Sequence, residues 1–118
     1  MKKLAMVAMM GLLAGCGLFR SDEPRVEVDN ATVVVAQGRN LRNAVVQAAT
    51  RRRWIAQELE NGDIRCKIVQ RNNVVAIDIV IKNETTYAIR FVESNIPNRK
   101  YNQWVNNLQR EIAKWAAN

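Results

Sequence analysis

From Asn40 onward the apolar positions follow two periods in turn. Leu41, Val45, Ala48 and Ala49 fall at helical spacing behind Asn40, whose side chain suits an N-cap, and the spacing predicts an amphipathic helix over about 41–53. Four apolar runs follow, separated by Asn61-Gly62, by Asn72-Asn73 and by the polar group Asn83-Glu84-Thr85. Asn-Gly between strand-like runs is a strong hairpin signal, because both residues tolerate the positive φ of a tight turn. Tyr101, Trp104, Val105, Leu108, Ile112 and Trp115 then restore the helical period, with Pro97 marking a turn and Asn98 the expected cap. A second helix is predicted over about 98–116.

Each turn fixes a register, and a one-residue slip would move every side chain of a strand to the other face. A two-residue loop at Asn61-Gly62 sets Leu59 opposite Ile64, Gln57 opposite Cys66 and Ile55 opposite Ile68. A two-residue loop at Asn72-Asn73 sets Ile68 against Ile77, Cys66 against Ile79 and Ile64 against Ile81. A three-residue loop at Asn83 to Thr85 sets Ile81 against Tyr87, Ile79 against Ile89 and Ile77 against Phe91. One face then collects the large apolar side chains, with Gln57 as the polar exception. The other face carries Glu58 opposite Arg65 and a Lys67, Asp78, Arg90 row of alternating charge. Two amphipathic helices and one apolar sheet face predict an α+β fold: helix, four-stranded antiparallel meander, helix, in a two-layer sandwich with both helices on one sheet face. The strands Ile55 to Glu60 and Tyr87 to Ser94 are expected at the edges, and 26–36 either adds a short strand or lies extended.

The N-terminus follows neither period. Lys2 and Lys3 precede an uncharged run from Leu4 to Ala14, the length of a signal-peptide core and too short for a permanent membrane span. The next residues, Leu13-Ala14-Gly15-Cys16, resemble the lipobox of bacterial lipoprotein precursors. That resemblance implies cleavage before Cys16, lipidation of Cys16 and a membrane-anchored mature chain, for which more than one acyl chain gives stable attachment. Gly17 rather than Asp after the cysteine implies, by the same resemblance, the outer membrane and a periplasm-facing domain. The expected organisation is a signal peptide over 1–15, a lipidated tether over 16–38 and an α+β domain over 39–118.

Composition narrows the chemistry. The chain has 118 residues, no His, two Cys and a net charge of +7, which falls to +5 once Lys2 and Lys3 leave with the leader. Without His there is no zinc–histidine site and no Ser–His or Cys–His pair, and no metal or other cofactor is expected. Lipidation of Cys16 leaves Cys66 without a disulfide partner, and its place between Ile64 and Ile68 reads as core. Arg51, Arg52 and Arg53 beside Trp54 would suggest phosphate binding in a cytosolic chain. In an exported one they read as a helix C-terminus opposing its dipole, with anionic lipid or cell-wall polymer as the alternative ligand and no nucleic acid. A small hydrolase using Asp78, Glu58 and Glu93 is the enzymatic alternative. It is disfavoured because Asp78 between two cations stays ionised, whereas a carboxylate pair needs one raised pKa.

The pattern from the first helix through Trp54, then Asn61-Gly62-Asp63-Ile64, Val75 to Ile79, Tyr87 to Phe91 with Ser94, and Tyr101-Asn102-Gln103-Trp104-Val105-Asn106-Asn107-Leu108, resembles a group of small proteobacterial envelope lipoproteins of unknown function. Members of that group carry His in the strand region and before the final helix. This chain has Asn73 and Pro97-Asn98 there, so no role of those His carries over. The resemblance implies an envelope lipoprotein and no defined activity. The expectation is a non-catalytic binding or structural module, tethered by Cys16, that meets an envelope protein or a second copy of itself. The expected partner surface is the open sheet face at Val69, Asp78, Ala88, Arg90 and Val92.

Overall fold

A computed structural model of the chain describes residues 23–118. In chain order these form β1 (Val28–Thr32), α1 (Leu41–Arg51), β2 (Ile55–Glu58), β3 (Ile64–Gln70), β4 (Asn73–Ile81), β5 (Thr86–Ser94) and α2 (Asn98–Ala117). The strands make one antiparallel sheet in the order β1-β5-β4-β3-β2. The α+β class holds. The sheet has five strands rather than four, because Val28–Thr32 pairs with β5, so the described residues open on a strand rather than a helix.

α1 starts where its cap predicts: Asn40 is extended and its Oδ1 accepts the Asn43 amide at 2.7 Å. Its end carries no glycine signal, yet it closes as a Schellman turn with Arg53 in the left-handed region at φ 73. The Arg53 amide donates to Thr50 at 3.1 Å and the Trp54 amide to Ala49 at 2.8 Å. α2 begins one residue earlier than its expected cap implies: Pro97 is the N-cap, and Asn98 is already helical. α2 buries Tyr101, Val105, Leu108, Ile112 and Ala116, with Trp104 and Trp115 packed at the borders of the stripe. Ala36 donates to the Ala116 carbonyl at 2.8 Å, which sets the start of α1 beside the end of α2. Arg52, Trp54, Trp104 and Asn107 line one recess, which sets the end of α1 beside the first half of α2. The helices therefore run antiparallel. Both cover the sheet face that presents Ile64, Cys66, Ile68, Val75, Ile77, Ile79, Tyr87 and Ile89.

One register is as expected: Ile77 faces Phe91, Ile79 faces Ile89 and Ile81 faces Tyr87. Beyond it Ala76 faces Glu93, so Val92 is an extra residue in a bulge. The other two registers differ. Between β2 and β3 the loop is Glu60-Asn61-Gly62, closed by the Leu59 amide on the Asp63 carbonyl at 2.8 Å, with Gly62 alone taking positive φ there. That one-residue shift sets Ile55 opposite Lys67, Ala56 opposite Cys66, Gln57 opposite Arg65 and Glu58 opposite Ile64. Trp54 is the cause. Held by the Schellman turn and 4% exposed, it enters the core, so Ala56 and Glu58 share its face and Ile55 turns outward. Between β3 and β4 the turn is Arg71-Asn72, one residue before the expected pair, with Arg71 at φ 59. Asn95 selects it: its side chain donates to the Asn72 carbonyl at 2.7 Å and accepts the Val74 amide at 2.8 Å. This two-residue shift keeps every core side chain on its face and changes only the neighbours.

The expected outer edge at Tyr87 to Ser94 is corrected as well. β1 pairs with β5 up to Ile89, so β2 and β1 are the edge strands.

Candidate functional site

The face of the sheet away from the helices is assembled from alternate residues of β2 to β5. One row across it reads Gln57, Arg65, Asp78, Arg90, and the next Ile55, Lys67, Ala76, Glu93. The shifted register replaces Lys67 by Arg65 as the neighbour of Asp78. The arginine reaches it with both arms: Nε donates to Oδ1 at 2.7 Å and Nη2 to Oδ2 at 2.8 Å. This two-pronged, charge-assisted geometry holds the planar guanidinium against the carboxylate. The bond to Asp78 raises the Arg65 pKa, and its Coulomb attraction adds to the rise. Asp78 is thereby a satisfied carboxylate, with 14% of its side chain exposed.

Around this pair the face is open and mixed: Lys67, Arg90 and Glu93 are exposed beside it, and so are several apolar side chains. Ile55 is 74% exposed, Val69 57% and Val92 36%. Val69 lies opposite Val74. Of the residues expected on the partner surface, Val69, Arg90 and Val92 are exposed there and Asp78 lies partly buried among them. Ala88 is corrected: set between Val80 and the irregular stretch of β1, its short side chain is buried. Ile55 is the residue that sequence reasoning missed, because its place on this face depends on the burial of Trp54.

The carboxylates of the hydrolase alternative do not converge. Glu58 lies on the helix side of the sheet, 3.4 Å from Arg42 of α1, whereas Asp78 and Glu93 lie on the open side. Cys66 is fully buried, and burial, with a smaller contribution from Asp78, pushes its thiol up to about 12. Such a thiol is a core side chain rather than a nucleophile. Among the described residues no group of three or more His, Cys, Asp or Glu is placed to hold a metal ion, and no helix is long and apolar enough to cross a membrane. Arg51, Arg52 and Arg53 are exposed at the end of α1. The expected lipidation site, Cys16, lies outside the described residues. No family model, curated protein or solved structure is matched by this chain.

Proposed function

We propose that this chain is an envelope lipoprotein, acylated at Cys16 and held on the outer membrane facing the periplasm, that acts as a non-catalytic docking module. The basic start, the uncharged run and Leu13-Ala14-Gly15-Cys16 support the anchor, and the resemblance to small proteobacterial lipoproteins supports the compartment. The open sheet face carries the docking reading: exposed Ile55, Val69 and Val92 share it with the internally paired Arg65 and Asp78 and with exposed Lys67, Arg90 and Glu93. A face that mixes exposed apolar side chains with charge has the composition of a protein-docking surface, which favours a protein partner. The adjacent edge of β2 offers backbone groups for an added strand.

Photo-crosslinking in cells tests this reading. A crosslinking side chain at Ile55, Val69 or Val92 should capture one and the same envelope protein, or a second copy of this chain, and one at Arg110 on the helix layer should capture neither. Adducts from Arg110 alone would overturn it.

A further inference from the structure

Six exposed cations lie at one end of the molecule. Arg51, Arg52 and Arg53 close α1, Arg71 sits in the β3–β4 turn, Lys100 lies in the first turn of α2, and Arg25 precedes β1. Contacts tie these places together. Arg52 and Gln70, the neighbour of Arg71, line one recess with Trp54 and Trp104, and Lys100 Nζ lies 5.5 Å from the centre of the Trp104 ring. The guanidinium of Arg25 stacks 3.6 Å over Phe91, which packs edge-on against Tyr101 of α2. Glu23, Glu27 and Glu93 are the opposing charges on this side. Toward the far end Glu58, Glu60, Asp63, Glu84 and Glu111 offset Arg39, Arg42, Lys82, Arg110 and Lys114, so the net positive charge lies at the first pole.

The chain enters at that same pole. Glu23 and Pro24 accept from the Asn102 side chain at 2.8 and 3.0 Å, and Asn102 accepts the Val26 amide at 2.8 Å. Seven residue steps separate Cys16 from Glu23, a reach of at most about 25 Å. An acylated Cys16 would therefore hold the basic end close to the head groups. We infer that this end is a membrane-contact surface for anionic phospholipid, which fixes the domain upright with the Asn61-Gly62 loop pointing away. The inference rests on acylation of Cys16. It adds to the docking reading, because an upright domain presents the open sheet face sideways, clear of the bilayer.

The test uses the full-length protein purified from membranes and reconstituted in phosphatidylcholine vesicles with or without phosphatidylglycerol. A photo-crosslinker replaces Gln103, exposed at the basic end, or Glu84 at the far end. Gln103 should give lipid adducts that rise with phosphatidylglycerol and fall in high salt, and Glu84 should give none. In the Arg51→Gln, Arg52→Gln, Arg53→Gln variant the yield should drop about fivefold per charge removed at low salt, with the thermal midpoint recorded to confirm folding. Equal adducts from both positions, no dependence on phosphatidylglycerol, or retention on cell-wall polymer without lipid adducts would overturn the inference. The intact mass of the same preparation reports acylation independently. An unmodified Cys16 would refute the anchor, while sedimentation of that protein with the two vesicle types would still test the basic end.

Discussion

Arg53 occupies the left-handed C′ position of α1 at φ 73, where a side chain with a β-carbon is strained and glycine is not. Arg53→Gly should therefore stabilise the domain by about 0.5–1 kcal/mol, read as a higher midpoint in urea at unchanged slope. A loss of stability would mean that the Arg53 side chain contributes a contact outweighing its strain. Cys66 makes a pH-dependent prediction. Its thiol ionises near 12 in the folded protein but near about 8.5 when unfolded, so the unfolded state alone gives up the proton between those values. The thiol's contribution to stability is constant below about pH 8.5 and is lost as pH rises toward 12. Tyr87 and Tyr101, both raised chiefly by burial, deepen the fall once unfolded tyrosines ionise. Chemical denaturation across this range should show a flatter decline in Cys66→Ala than in the parent. In a Cys16→Ser background the Cys66 thiol should react with an aromatic disulfide reagent only as fast as the domain opens, and fast reaction in the folded state would contradict its burial.

At the scale of elements, the strand phases make opposite predictions for two isoleucines. Ile55→Asp should change stability by less than about 0.5 kcal/mol, because the side chain already lies in water. Ile79→Asp, at a position with no exposure, should unfold the domain, because an unpaired buried carboxylate costs several kcal/mol. Comparable melting losses in the two variants would restore the register in which Ile55 points inward. A double-mutant cycle separates the β3–β4 alternatives: Arg65 and Asp78 should couple measurably, Lys67 and Asp78 should not. These contrasts also mark what local sequence discloses. Asn40, the Leu41-to-Ala49 spacing, the α2 stripe and the Asn83-to-Thr85 loop carry their own structural signals, and those elements lie where the patterns put them. The β2 phase and the β3–β4 turn are decided by Trp54 and by Asn95, a buried ring and a clamp 21 residues from Val74. No signal within either hairpin reports them. β1 was ambiguous for the same reason, since Val28 and Ala31 become strand residues only against Ile89 and Tyr87.

At the scale of the whole molecule, three features align: the chain enters at the basic end, the helices shield one sheet face, and the other face stays open with Ile55 and Val69 at its surface. The candidate surface was legible in part. Val69, Arg90 and Val92 follow from alternation alone, whereas Ile55 and the Arg65–Asp78 pair needed the tertiary register. Under the proposed anchor at Cys16, the basic end would meet the membrane and the open face would stay free for a partner. The most direct measurement is the mass of the N-terminal peptide from the protein isolated from cells. The expected product is a chain that begins at Cys16 and carries a diacylglyceryl group on sulfur with a further acyl chain on the new amino terminus. A chain that still begins at Met1, or one cleaved elsewhere with a free Cys16 thiol, would contradict it.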